Sequence, residues 1–209
     1  MSQHPQPPRP PRRYALDIET TGLDCRTDRI TSVGIYGSGV AFVLEDPNED
    51  RLLESLWLYV TKLPAGEIVT WNGAVFDGPF LSHRAVVCRL PSEWFPLVAD
   101  PDIAPKYEPQ PGFRPVGYHL AMQAGGWRRH THRDLAYELR EWATAHHVKW
   151  GLKPVARAAG IEGVIEVDRE HMDLLTVPER MAYNLSDVVA TYELAAMADR
   201  GMAEVPDAD

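Results

Sequence analysis

Only two cysteines, Cys25 and Cys88, occur in the 209 residues. That is too few for a disulfide framework and their spacing fits no thiolate metal site, so both are expected as reduced thiols. No apolar run reaches the length of a membrane span. The opening MSQHPQPPRPPRR carries arginines without the apolar stretch of a secretory signal, which gives the expectation of a cytoplasmic protein. Positive charge is scarce as well, with 21 Lys and Arg against 30 Asp and Glu and a net charge of −9. This argues against a protein that coats nucleic acid non-specifically, which needs clustered cations. It does not argue against an enzyme acting on nucleic acid, because divalent cations held by its own acids would reverse the local field where a phosphate sits.

What is present is the composition of an ordinary globular chain, 44% hydrophobic and 24% charged, at a length that suits one well-buried domain. Residues 1–12 are Pro-rich and aperiodic and are expected as a disordered arm, 13–202 as the folded domain, and 203–209 as a flexible acidic tail. Strands are predicted at Tyr14 to Ile18, Arg29 to Tyr36 and Val40 to Leu44, with a tight turn at Gly37-Ser38-Gly39. A helix opens at Pro47-Asn48 and ends before Pro64. A strand at Glu67 to Trp71 and a helix from Phe76 to Val87 follow. Residues 91–126 read as a long loop or small insertion. The remainder predicts a strand at Trp127 to His132, helices at Asp134 to His147 and Leu152 to Ala159, and a long helix from Pro178 to Met202. This order is α/β, with a mixed five-stranded sheet flanked by helices, as in the ribonuclease H-like fold.

Three acidic elements carry the chemistry. Asp17 and Glu19 are two residues apart on the first strand, so both side chains leave the same face at the carboxyl end of an apolar run. Asp77 follows a strand and a Gly-containing turn. It reads either as a carboxylate at the mouth of the sheet or as an acid complementing a helix dipole. Asn72 and Phe76 are equally open, as site residues or as a turn residue and a core aromatic. Tyr183 and Asp187 are four apart on the last helix and share a face, either in a site or as a half-buried phenol beside a solvated acid.

Together these segments resemble the DnaQ-like 3′→5′ exonucleases, in the DEDDy branch that has tyrosine in its third motif. The first motif is Leu16-Asp17-Ile18-Glu19-Thr20-Thr21-Gly22-Leu23, the second runs from Asn72 through Phe76-Asp77 to Phe80-Leu81, and the third is Tyr183 followed by Asp187. Ala182 stands where the histidine branch would have its histidine. The second motif is most similar to the proofreading domains of family B DNA polymerases and their stand-alone relatives.

The resemblance implies two Mg²⁺ or Mn²⁺ on Asp17, Glu19, Asp77 and Asp187, with Asp17 bridging both. Four converging carboxylates would otherwise repel each other severely. It implies release of nucleoside 5′-monophosphates, with Tyr183 orienting the attacking water, since a phenol of reference pKa about 10 is a poor base. Thr20, Thr21 and Leu23 would meet the terminal nucleotide and Asn72 and Phe76 the penultimate one, while Asp134 would support the ligands. The expected partner is the 3′ end of single-stranded DNA. An RNA-directed exonuclease and a catalytically silent nucleic-acid-binding module are the alternatives. Two further features stay open. The basic run Trp127 to Arg133 reads as a strand-gripping segment or a solvated edge, and the N-terminal prolines could recruit SH3-like partners.

Overall fold

The computed structural model describes residues 12–104, 116–120, 130–167 and 174–202. The expected arm at 1–12, except its last residue, and the expected tail at 203–209 lie outside them. Tyr14, Ala15, Leu16 and Ile18 are all buried and make β1 (Arg13–Thr20) the middle strand of the sheet. A strand covered on both faces needs such a continuous apolar run. β2 (Ile30–Gly37) pairs antiparallel with β1, and β3 (Val40–Glu45) antiparallel with β2. The two-residue turn between β2 and β3 has positive φ at both Ser38 (48°) and Gly39 (86°), the handedness that matches the strand twist. On the other side β4 (Gly66–Thr70) and β7 (His130–Asp134) run parallel to β1, giving the order β3-β2-β1-β4-β7. The sheet is therefore mixed and five-stranded, as the element order predicts.

Alternation along β1 decides where the acids point. Tyr14, Leu16 and Ile18 enter one core with Leu52, Leu53, Leu56 and Val60 of α1 (Glu49–Lys62) and Phe80 and Leu81 of α2 (Asp77–Val87). Ala15 enters the other core, with Val69, Leu135, Val155 and Val188. Asp17 and Glu19 share Ala15's parity and so emerge on that second face. The same face is covered by α3 (Leu135–Glu138), α4 (Arg140–Ala145), α5 (Leu152–Ala158) and α6 (Val177–Ala198). Each fully buried Leu or Val contributes roughly 1.5–3 kcal/mol, so the two cores hold β1 in a single register. α1 is capped by Asn48, whose side chain accepts from the Arg51 N–H at 3.0 Å. α6 opens with a Thr176/Glu179 capping box and Pro178 in its first turn.

The described part of the last strand runs from His130 to Asp134, two residues past the expected end at His132; its expected start at Trp127 falls on residues outside the described ones. The helix expected over Asp134 to His147 breaks at Leu139 into α3 and α4. Of the two readings of the 91–126 segment, the described residues favour the small insertion: Ser92–Trp94 makes a 3₁₀ turn, and β5 (Leu97–Asp100) pairs antiparallel with β6 (Gly117–Leu120) as a separate two-stranded sheet. Two strands of four residues carry too little alternation to stand out in a sequence. Among the described residues no helix is long and apolar enough to cross a membrane. Cys25 is buried and Cys88 half-buried, both free thiols.

Candidate active site

Asp17 and Glu19 leave the end of β1 and meet Asp187, which α6 brings down onto the same face. One carboxylate oxygen from each of the three lies within 4.8 Å of the others. Asp187 is 7% exposed and also receives the Ser186 hydroxyl at 3.3 Å. Tyr183, 6% exposed, sits one helical turn before Asp187. Asp77 stands beside this group rather than within it: Asp77 is buried at the start of α2 and its Oδ1 accepts the Ile18 backbone N–H at 3.1 Å. The second motif is thus tied to the strand that carries the first.

The loop leading to Asp77 is held by Asp134 at the end of β7. Asp134 Oδ1 accepts from the Asn72 N–H at 2.9 Å and from the Ala136 N–H at 3.0 Å, and Oδ2 accepts from the Ala74 N–H at 2.8 Å. Asn72 itself adopts the left-handed region at φ 67°, which asparagine tolerates better than most residues. Phe76 packs on Phe80 with ring centroids 5.3 Å apart and stays half-buried. Asn72 therefore makes the turn and Phe76 packs on the core, both on the loop that leads to Asp77.

The first motif continues into a loop whose tip is Leu23, 72% exposed. Thr20 donates its hydroxyl to the Gly22 carbonyl at 2.6 Å, and the Thr21 N–H donates to the Arg29 carbonyl at 2.9 Å. Beneath the loop is a buried ion pair, Arg84 with Glu49 at 2.5 Å. Arg84 also donates to the Cys25 carbonyl at 3.1 Å, and Glu49 accepts the Ile30 N–H at 2.8 Å.

The electrostatics follow from burial and crowding. Desolvation, then the charges of Asp77, Glu19 and Asp187, hold the Asp17 carboxyl far above the usual carboxylate range. Desolvation also pushes Asp77 up to about 8, with Asp134 and Glu19 adding to it and the Ile18 N–H opposing. Lys153 at the start of α5 opposes this crowding. Its ammonium lies 3.3 Å from Asp187 Oδ1 and 3.6 Å from the centroid of the Tyr183 ring, and it donates to the Ile165 carbonyl at 2.6 Å.

Lys153 was not singled out by sequence reasoning, because a lysine in a seven-residue helix has no spacing that links it to a motif 30 residues on. Asn184, whose Nδ2 donates to Asp17 Oδ2 at 3.1 Å, was missed although it lies inside the third motif. A polar residue beside Tyr183 on a long helix reads from sequence as a solvated one. It is wholly buried.

The basic run is largely spent inside the fold where it is described. Arg133 pairs with Glu138 at 2.5 Å and with Asp199 at 2.8 Å, His130 is buried, and His132 lies 3.0 Å from the Thr70 hydroxyl. His146 and His147 take no part in the acidic group: His146 contacts the Trp142 carbonyl at 2.8 Å.

A group of three hard oxygen donors this close suits a divalent cation. Burial first, and the neighbouring acids second, hold the Asp17 and Asp77 carboxyls up, and a bound cation would offset both effects. Asp17, Glu19 and Asp187 fit as direct holders, with Asp77 adjacent.

A five-stranded mixed sheet with acids gathered at the end of its central strand defines a ribonuclease H-like domain. Residues 14–198 match the family model of the RNase H superfamily. The chain belongs to that superfamily, whose members are generally nucleases. The solved family B DNA polymerase of the hyperthermophilic archaeon Pyrobaculum calidifontis shares the fold, with TM-score 0.69 and 21% identity, over 90% of this chain and 24% of the polymerase. The uncharacterized protein MJ0365 of Methanocaldococcus jannaschii is 35% identical over 80 residues, 38% of this chain and 45% of that protein. The chain thus spans a quarter of the polymerase and under half of the archaeal protein. Both the family and the fold agree with the resemblance to DnaQ-like 3′→5′ exonucleases.

Proposed function

We infer that residues 13–202 form a metal-dependent 3′→5′ exonuclease of the DEDDy type that trims single-stranded DNA ends to nucleoside 5′-monophosphates. The observation that carries the reading is the convergence of Asp17, Glu19 and Asp187 within 4.8 Å, with Asp77 hydrogen-bonded to the intervening residue of the first motif. Asp17, Glu19, Asp77 and Asp187 would hold two Mg²⁺ or Mn²⁺. The cations would supply Lewis-acid stabilisation of the phosphoryl oxygens and a hydroxide at neutral pH.

The chain's own groups do the rest. A phenol with a reference pKa of about 10 is a poor base, so Tyr183 acts as a hydrogen-bonding group that orients the water. Lys153 places a positive charge against Asp187 and the Tyr183 ring, which steadies both. Leu23, exposed at the loop tip, would wedge against the terminal base, with the backbone at Thr20 and Thr21 beside it. Asn72 and Phe76 flank Asp77 and would meet the penultimate nucleotide. DNA is favoured over RNA because the fold is shared with a DNA polymerase.

The test is incubation of 3′-labelled single-stranded DNA, duplex DNA and RNA with Mg²⁺ or Mn²⁺. The expected outcome is mononucleotide release, fastest from single-stranded DNA. Preferential degradation of RNA would transfer the activity to that polymer. Binding of strands by both the wild type and Asp17→Ala, with no cleavage by either, would mark a silent module.

A further inference from the structure

We propose that Asn184 is a positioning residue that sets the orientation of the Asp17 carboxylate, and that Gly34 exists to make room for it. The inference rests on the reading of Asp17 as a cation ligand.

Asp17 and Gly34 are cross-strand partners in the β1–β2 ladder, so a side chain at position 34 would stand next to Asp17 on the same face. That space is taken by Asn184. A Cβ at Gly34 would fall 2.0 Å from Asn184 Oδ1, 3.1 Å from its Cγ and 3.1 Å from Val188 Cγ1. The helix above the sheet therefore reaches the strand through the one cross-strand position beside Asp17 that lacks a side chain.

The amide's orientation is set by chemistry. Nδ2 donates to Asp17 Oδ2 at 3.1 Å, and turning the amide over would put oxygen against carboxylate oxygen. The opposite end then has nothing to accept. Asn184 Oδ1 is buried and has no hydrogen-bond partner among the described residues, while the residue as a whole is 0% exposed.

A buried carbonyl left without a donor is costly, and a leucine of similar size would fill the same apolar seam between α6 and the sheet without that cost. Packing alone does not account for asparagine here. What asparagine supplies is one N–H aimed at one oxygen of Asp17. This fixes the rotation of the carboxylate within the acidic group, in the way that hydrogen-bonding partners outside the coordination sphere orient metal ligands.

Isothermal titration of the full chain with Mn²⁺ tests this, alongside thermal unfolding in EDTA and steady-state kinetics on a labelled strand. Asn184→Leu should fold, melt in EDTA no lower than the wild type, and bind Mn²⁺ at least about tenfold more weakly. Its kcat should fall while KM for the strand stays within about twofold. If Asn184→Leu does not fold, Gly34→Ala applies the same test from the strand side, because its methyl displaces the amide but leaves Asn184 in place. Wild-type Mn²⁺ affinity in the folded variant would overturn the proposal while leaving the nuclease reading intact. Absence of Mn²⁺ binding by the wild type itself would overturn both.

Discussion

Asp77 accepts the backbone N–H of Ile18, so the acid of the second motif is anchored on the residue that separates Asp17 from Glu19. An amide oxygen can accept the same bond. Asp77→Asn should therefore keep the geometry while removing a buried charge beside Asp17. In EDTA at pH 8 this variant should be more stable than the wild type by at least about 1 kcal/mol, roughly 2–4 °C in melting temperature for a domain of this size. Its nuclease activity should fall at least about a hundredfold. Differential scanning calorimetry and the strand-degradation assay measure the two effects, which have opposite signs only if Asp77 serves a cation.

The same crowding makes the metal-free protein's stability depend on pH. Burial pushes the Asp77 carboxyl up to about 8 in the folded chain from the ordinary carboxylate 3.8, so the native state binds more protons than the unfolded one across that window. Stability in EDTA should be greatest near pH 4 as far as these groups decide it, and should decline as pH rises to about 8. Urea midpoints at successive pH values check this. A midpoint that rises steadily from pH 5 to 8 would contradict the burial of uncompensated acids.

Asp134 spends both carboxylate oxygens on backbone amides of the loop before α2 and on the cap of α3. Asp134→Ala strands these buried N–H groups and releases Asn72 from its left-handed turn. The expected loss is roughly 2–4 kcal/mol of stability, accompanied by a lower kcat, because Asp77 hangs on the same loop. Denaturant unfolding and kinetics of Asp134→Asn, which retains one acceptor, should fall between wild type and alanine.

Tyr183→Phe leaves the ring that Lys153 covers and removes only the hydroxyl. Turnover should drop about 10- to 100-fold with KM nearly unchanged, as expected for a group that acts on the reacting water and not on strand binding. Unchanged turnover would remove the hydroxyl from the reaction.

The thiols should be quiet. Burial raises the Cys88 thiol to about 12, with the neighbouring acids Asp50 and Glu49 adding to it, and Cys25 is raised by burial too. A disulfide reagent at pH 8 should label the native chain far more slowly than the denatured one, since the thiolate is the reactive form.

Much of this architecture was legible in the chain because β1 is apolar on both faces and Asp17 and Glu19 are two residues apart on it. Strand periodicity then dictates that both acids share Ala15's face. α6 was equally legible, through Pro178 and its long periodic run. What was not legible depends on contacts between elements remote in sequence. Nothing local to Lys153 or Asn184 announces that each faces an acid on another element. The β5–β6 hairpin was hidden by its short strands, and the helix after Asp134 breaks at Leu139 without a proline or glycine to signal it.

The proposed activity of this acidic group is cleavage of strands from the 3′ end. Its most direct test is a single-stranded DNA labelled once at the 3′ end and, separately, once at the 5′ end, incubated in Mn²⁺ with wild type and with Asp17→Ala. The expected result is immediate release of the 3′ label as a 5′-mononucleotide, a descending ladder from the 5′-labelled strand, and neither with Asp17→Ala. Immediate mononucleotide release of the 5′ label, or equal cleavage by Asp17→Ala, would contradict it.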